Sequence, residues 1–157
     1  MFVGKLEAIY FSEQSGIAMT KREDVDVLAG QGIVGDRYTT GVGKFAKPGT
    51  PENEITLIEA EAVEAVPREY DFELTAAETR RNLVTRGVPL NHLINVEFQV
   101  GDVRLRGLEL CEPCSHLAKF TGKAVVKALR HRGGLRACVL NDGRIRVGDE
   151  IRVKINN

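Results

Sequence analysis

The C-terminal stretch RACVLNDGRIRVGDEIRV, residues 136–153, shows the pattern that decides the fold. Short segments in which apolar and polar residues alternate are separated by Asn-Asp-Gly and by Val-Gly-Asp. Such alternation is typical of half-buried strands. Asp-Gly tolerates positive φ, so VLNDGRIRV (139–147) predicts a hairpin. The stretch as a whole indicates antiparallel sheet with tight turns.

Segments of the same kind recur along the rest of the chain. Further strands are predicted at LEAIYF, DVDVLAG, EITLIE, RNLVT, VEFQVGD and VRLRGLEL, which Gly, Pro, Asn or Asp residues bound. Helix signals are fewer: EAEAVEAV (59–66), which ends before Pro67, a capping-box pattern at 75–78, and an apolar stripe over 115–131, where Gly122 makes a helix start near Thr121 the alternative. This balance predicts a mostly β fold, a β-barrel of short, largely antiparallel strands with two or three short helices.

Length and composition indicate a globular protein. The chain has 157 residues, 43% of them hydrophobic, and predicts a single domain over residues 1–157. No apolar run approaches the roughly 20 residues of a membrane span, and three cysteines are too few for a disulfide framework. The N-terminus lacks a signal-peptide pattern, so we expect a cytoplasmic protein. The long loop predicted at 39–53 is expected to be functional.

Charge is distributed unevenly along the chain. Residues 1–79 contain 7 Lys and Arg against 15 Asp and Glu, a net charge of −8, whereas residues 80–136 contain 11 against 4, a net charge of +7. The basic segment predicts a site for an anion, unless the two halves neutralise each other on one surface. RRNLVTRG (80–87) holds three arginines, whose planar guanidinium groups suit phosphate; pairing with acids of the N-terminal half explains them equally well.

Two of the three cysteines lie in CEPC (111–114). This spacing is compatible with a zinc site, a redox pair, two buried thiols or one reactive thiol. No second ligand pair has zinc spacing, and Cys138 in RACVL fits a core position of a strand. Cys114 follows Pro113 and precedes a helical pattern with several lysines, and such surroundings stabilise a thiolate. The residues alone leave these alternatives open.

Several motifs together resemble the MOSC family, named after the C-terminal domain of molybdenum cofactor sulfurases. The matching pieces are GIVGDRY (32–38), ENEITLIEAEAVE (52–64), RRNLVTRG (80–87), EFQVGDVRL (97–105), CEPCSHL (111–117) and RGGLRACVLNDGRIRVGDEIRV (132–153). Each piece is weak alone, but their order and spacing together are specific. The resemblance implies a MOSC-type β-barrel, expected here as a small stand-alone member.

The resemblance also implies a function related to molybdenum cofactor (molybdopterin). The marker cysteine of the family matches Cys114, and the Arg-Asn of its basic strand matches Arg81 and Asn82. We expect the chain to bind this anionic pterin cofactor, to carry sulfur as a persulfide on Cys114, or both. The predicted cofactor-binding residues are Arg80, Arg81, Asn82, Arg86 and Arg132. Because neighbouring residues of a strand point to opposite faces, Arg81 and Asn82 share one pocket only at a bulge or turn.

Two other functions fit the same motifs: a non-catalytic binding or adaptor module, and a pterin-dependent reductase. An enzymatic role is expected to be sulfurtransferase-like, with Cys114 as the catalytic residue and no metal ligand among the side chains. Cys111 is expected to pack as a small hydrophobe or to resolve an oxidised Cys114. Expected partners are an anionic small molecule or cofactor and a sulfur-donor protein or molybdoenzyme, without nucleic acid or membrane. Binding of molybdenum ion and of pyridoxal phosphate is associated with the family as a whole and is implied here only by the resemblance.

Overall fold

The computed structural model describes residues 1–40 and 53–153, so the loop predicted at 39–53 lies almost entirely outside the described residues. The strands of this part of the chain are β1 (Gly4–Phe11), β2 (Thr20–Arg22), β3 (Asp24–Leu28), β4 (Gly32–Ile33), β5 (Ile55–Glu59), β6 (Leu83–Arg86), β7 (Glu97–Val100), β8 (Val103–Leu110), β9 (Leu135–Val139), β10 (Gly143–Arg146) and β11 (Glu150–Arg152). Its helices are α1 (Arg37–Thr40), α2 (Ala60–Glu69), α3 (Ser115–Thr121) and α4 (Val125–Ala128), with 3-10 helices at Ala77–Thr79 and Leu90–Leu93. None of the described helices has the length and apolar character needed to cross a membrane.

Seven of the strands close into a barrel. Their order is β11, β7, β8, β9, β5, β6 and β1, and pairing of β1 with β11 completes the closure. The pairings are antiparallel apart from that of β5 with β6, which is parallel. β2 adds to β1 as an eighth strand of the same sheet. The predicted mostly β barrel of short, largely antiparallel strands is therefore confirmed.

Aliphatic side chains fill the barrel interior. In β9, Leu135, Ala137 and Val139 are buried and alternate with less buried neighbours, as the two-residue period of a strand requires. Burying a side chain of the size of Leu135 contributes about 1.5–3 kcal/mol. Cys138 belongs to the alternate set and is only partly buried. The core position predicted for Cys138 is therefore wrong, because the strand alternation turns this residue away from the interior.

The hairpin predicted at 139–147 does not form. β9 pairs with β5 and β8, whereas β10 pairs with β3 in a second sheet that also contains β4. Gly143 does not adopt the positive φ that a tight Asp-Gly turn requires. Instead, Asn141 Oδ1 accepts a hydrogen bond from the Arg104 N–H at 2.7 Å, and Asp142 Oδ1 accepts one from the Ala29 N–H at 2.8 Å. These bonds direct the chain out of the barrel and into the second sheet.

The predicted helices are present with different ends. α2 continues through Pro67 to Glu69, because a proline near the helix end removes a single backbone donor. The segment 115–131 is divided into α3 and α4 rather than forming one helix. Gly122 ends α3 in the left-handed conformation, with φ of 68°, as is common at helix C-termini.

A capping box starts the turn that positions the basic motif. As predicted, the Thr75 N–H donates to Glu78 Oε1 at 3.0 Å, and the Glu78 N–H donates to Thr75 Oγ1 at 3.3 Å. The 3-10 helix Ala77–Thr79 is followed directly by Arg80, whose φ of 60° is left-handed. A non-glycine residue in this conformation costs about 1–2 kcal/mol. This turn, and not a regular strand, presents Arg80 and Arg81 ahead of β6.

Candidate functional site

A cavity of about 150 Å³ lies where the segment between β8 and α3 meets the turn before β6. Its lining combines one thiol with four guanidinium groups and a single carboxylate. The lining residues are Ser15, Arg37, Arg80, Arg81, Glu112, Cys114, His116, Leu117 and Arg136. The composition makes this cavity the candidate site for an anion.

Arg81 connects the basic motif to the CEPC segment. Its side chain is buried, with Nε donating to Gly133 O at 2.8 Å and Nη1 donating to Thr79 O at 3.2 Å. Its Nη2 donates to Cys111 O at 2.9 Å and to Glu112 O at 3.5 Å. All four acceptors are neutral carbonyl oxygens, so the charge of Arg81 has no carboxylate partner within residues 1–40 and 53–153.

Arg80 holds α3 against the segment between β1 and β2. Its Nη1 donates to the Ile17 carbonyl, and its guanidinium lies 4.6 Å from the centre of the Phe120 ring. Such a cation–π contact contributes about 0.5–2 kcal/mol, depending on its exposure to water. The Arg80 carbonyl accepts a hydrogen bond from Arg37 Nη2 at 3.2 Å. Arg80 is therefore a structural link as well as a lining residue.

A buried polar network lies behind the cavity. Asp36 is fully buried, and its Oδ1 accepts hydrogen bonds from the Ser12 N–H at 3.1 Å and from Arg37 Nη1 at 3.3 Å. Asn82 Nδ2 donates to the same oxygen at 3.3 Å, while Asn82 Oδ1 accepts from the Thr56 N–H at 3.0 Å. The network orients Arg37 toward the cavity, and it uses the Asn82 side chain for hydrogen bonds in the interior.

Arg136 reaches the cavity from β9. Its side chain is 21% exposed, more than that of Arg37 at 9%. Glu109 is its partner across the β8–β9 pair, with Glu109 Oε1 3.7 Å from Arg136 Nε. A pair at this distance and exposure is weak. Arg136 therefore contributes positive charge at the more accessible side of the cavity.

The thiols of the three free cysteines differ in environment. Cys111 is buried, and its N–H donates to Gly134 O at 2.7 Å. Burial raises the pKa of Cys138, and the Glu54 carboxylate raises it further, so this thiol is protonated at neutral pH. Cys114 is exposed and is the one cysteine that lines the cavity. The fold thus places the accessible thiol of Cys114 in the same cavity as the arginines.

Gly133 and Glu112 shape the wall that carries Cys114. A Cβ atom on Gly133 would lie 2.5 Å from Cys111 O and 2.9 Å from Pro113 Cδ, so only glycine fits there. Glu112 Oε1 accepts a hydrogen bond from the His131 N–H at 2.9 Å, and Glu112 Oε2 lies 3.2 Å from His131 Nδ1. The single carboxylate of the lining is therefore bound to His131.

The structure brings together three of the six predicted site residues, namely Cys114, Arg80 and Arg81. The other three do not line the cavity. The Arg86 side chain is 43% exposed with Nε 2.7 Å from Glu7 Oε1, and Arg132 Nη2 lies 2.6 Å from Glu69 Oε2. Asn82 belongs to the buried network. These three residues are not positioned to contact a ligand in this cavity.

Arg37 and Arg136 line the cavity, although neither was predicted as a site residue. Both lie in pieces that match the MOSC resemblance, Arg37 in GIVGDRY and Arg136 in RGGLRACVL. His116, which follows Cys114 in CEPCSHL, also lines the cavity. The motif matches could therefore have indicated these residues as site candidates, but only the fold shows that they line one cavity.

The fold and the site together define a closed β-barrel domain with a cavity lined by arginines and one thiol. The MOSC domain family model matches residues 45–152, and the chain belongs to this family. A search of curated protein sequences finds no match.

Solved structures share the fold at low sequence identity. YuaD from Bacillus subtilis is 18% identical with a TM-score of 0.75, and the alignment covers 96% of this chain and 97% of that chain. YiiM from Geobacillus stearothermophilus is 17% identical with a TM-score of 0.75, covering 97% of this chain and 75% of that chain. YiiM from Escherichia coli is 13% identical with a TM-score of 0.63, covering 100% and 71%. These similarities establish the fold.

The MOSC family is associated with molybdenum cofactor, and the lining residues fit the anionic part of that cofactor. Guanidinium groups suit phosphate, and a thiolate is a soft donor. The volume of about 150 Å³ is smaller than the roughly 300–1,000 Å³ typical of pockets that enclose a small molecule. The cavity formed by the described residues therefore fits an anionic group and not a whole pterin.

Proposed function

We propose that this MOSC domain binds an anion between its arginines and carries sulfur as a persulfide on Cys114. The supporting observation is that the exposed Cys114 thiol and the buried Arg81 guanidinium line the same cavity. Among the described residues Arg81 has only neutral acceptors, and a buried charge is favourable mainly when it has an opposite charge nearby. An anion next to Cys114 would supply that charge.

The proposed chemistry begins with the Cys114 thiolate, the nucleophilic form of a cysteine. The thiolate attacks a sulfane sulfur of a donor, the bond between that sulfur and the donor breaks, and the donor leaves with the bonding electrons. Cys114 then carries one additional sulfur atom. Arg81 restrains the carbonyls of Cys111 and Glu112, which limits movement of the segment that bears the thiol. Such restraint favours reaction with a bound donor.

Arg37, Arg80, Arg81 and Arg136 would hold a phosphate or other anionic group of molybdenum cofactor. When bound, the cofactor would supply a redox-active metal centre. The residues of this chain would supply positive charge, orientation and the Cys114 thiol. The alternative function is a binding module without sulfur transfer. The hydrogen bonds that the arginines already make support this alternative, because these bonds stabilise the cavity without any reaction.

Loading of Cys114 with sulfur tests the proposal. Wild type, Cys114→Ser and Cys111→Ser are incubated with inorganic polysulfide and examined by intact mass and peptide mapping. We expect one added sulfur, about 32 Da, on Cys114 in wild type and in Cys111→Ser, and none in Cys114→Ser. Cys138→Ser is the matched control and should load normally. Equal loading of Cys114→Ser would contradict the persulfide role, and retained anion binding in that case would support the binding module.

A further inference from the structure

We infer that the cavity accepts a small sulfur oxyanion with a transferable sulfane sulfur, of which thiosulfate is the simplest, and that Cys114 takes this sulfur with release of sulfite. The inference rests on the proposed function of Cys114 and specifies the chemical class of its donor. It depends on the size of the cavity, its charge and the position of the thiol.

The size of the cavity favours a compact ion. Its volume of about 150 Å³ is half the lower limit of roughly 300 Å³ for pockets that enclose a small organic molecule. The single carboxylate of the lining, that of Glu112, is bound to His131 and thus has its own cationic or hydrogen-bonding partner. The remaining polar wall consists mainly of guanidinium groups, which match the oxygen atoms of a sulfonate or phosphate group.

The acids in residues 1–40 and 53–153 leave the charge of Arg81 without a carboxylate partner. Asp36 lies 3.3 Å from Arg37, and Glu109 lies 3.7 Å from Arg136. Arg81 has no carboxylate partner in the described part of the chain, although it is only 8% exposed. Its guanidinium has five N–H groups and, within the described residues, four carbonyl acceptors, so one N–H group has no acceptor among them. A buried cation with a remaining donor favours an anionic ligand.

Thiosulfate matches this arrangement because its sulfonate oxygens and its transferable outer sulfur lie at opposite ends of the ion. Its sulfonate oxygens would bind the arginines, and its outer sulfur would face Cys114. The thiolate attacks the outer sulfur, a new S–S bond forms, and the S–S bond to the sulfonate sulfur breaks. Sulfite leaves with the bonding electron pair, and Cys114 becomes a persulfide anion. Charge and atoms balance without an external oxidant or reductant, and the arginines stabilise the departing dianion.

Turnover requires an acceptor for the bound sulfur. Cyanide is the probe acceptor: it attacks the outer sulfur of the Cys114 persulfide, forms thiocyanate and regenerates the thiolate. Sulfite from the first step and thiocyanate from the second are measured separately. We expect equal amounts of both from wild type and neither from Cys114→Ser, because the thiolate is required for the first step. Sulfate, which has the oxyanion but no sulfane sulfur, should compete with thiosulfate.

The arginine dependence is tested with two matched variants. Arg136→Gln removes the more accessible cation of the cavity, and Arg130→Gln removes an exposed arginine outside it. We expect Arg136→Gln to lower kcat/KM for thiosulfate by about tenfold or more, as loss of a charge-assisted bond predicts. Arg130→Gln should retain wild-type values. Thermal unfolding of both variants establishes that each is folded.

The outcomes separate this inference from the proposed function. Loading of Cys114 by polysulfide without sulfite release from thiosulfate would overturn the donor class and leave the persulfide role standing. Failure with both donors would overturn both. Equal losses in Arg136→Gln and Arg130→Gln would show a general charge effect and overturn the site, as would thiosulfate turnover that sulfate does not inhibit.

Discussion

Arg81 Nη2 donates a hydrogen bond to the Cys111 carbonyl at 2.9 Å, across 30 positions of the chain. This bond joins the two motifs that carry the MOSC resemblance, RRNLVTRG and CEPCSHL. Arg81 was expected to act directly on a ligand, but four of its five N–H groups hold backbone carbonyls. Its larger contribution is therefore to keep the segment before Cys114 in place.

Replacing Arg81 should destabilise the fold much more than replacing Arg86 of the same motif. Arg81→Gln leaves buried carbonyls without donors, and we expect the free energy of unfolding to fall by about 3 kcal/mol. The Arg86 side chain is 43% exposed and is paired with Glu7 and Glu64, so Arg86→Gln should cost less than about 1 kcal/mol. Urea denaturation of the two variants measures both values. Equal losses would refute the structural role of Arg81.

Gly133→Ala should disturb the wall that carries Cys114. The new Cβ would lie 2.5 Å from Cys111 O, so the CEPC segment must move, at a cost of about 1–3 kcal/mol. Gly148→Ala is the control, because Gly148 has positive φ but no atom within 4 Å of the new Cβ. We expect only Gly133→Ala to change the alkylation rate of Cys114. An unchanged rate together with unchanged stability would contradict the close contact.

The three thiols should differ in their rates of alkylation. Cys114 is exposed, Cys111 is buried, and the raised pKa of Cys138 keeps that thiol protonated at neutral pH. Because the thiolate is the reactive form and must be accessible, limited iodoacetamide treatment at neutral pH should label Cys114 first. Peptide mapping after short exposure measures the three rates. Comparable labelling of all three cysteines in the folded protein would disprove this order.

Cys138 should make stability decline at alkaline pH. Burial raises its pKa in the folded protein above the ordinary value of 9.0, so the unfolded chain releases the thiol proton first as pH rises. The contribution to stability is therefore complete below about pH 9 and is lost as pH rises through the folded-state pKa. Urea denaturation at neutral pH and above pH 9 should show a smaller alkaline loss for Cys138→Ala than for wild type. An identical loss in both proteins would remove Cys138 as a cause.

The local strand pattern was predictable from the sequence because it depends on neighbouring residues. Alternating burial follows from the two-residue period of a strand, so β8 was predicted at its observed bounds and β9 within one residue of them. The capping box at 75–78 was equally local, since Thr75 and Glu78 bind each other. The order and spacing of short motifs further predicted the MOSC barrel and the meeting of Cys114 with Arg81.

Only the tertiary structure decided which strands pair and which side chains meet at the cavity. Asp142-Gly143 was compatible with a hairpin, but Asn141 and Asp142 bind the backbones of distant residues, and β10 therefore joins β3. Asn82 follows Arg81 directly, yet buried contacts turn the two side chains to different partners. Arg37 and Arg136 enter the site because the barrel closes between distant strands. Such contacts join residues that are far apart in the sequence, and the periodicity within one segment carries no information about them.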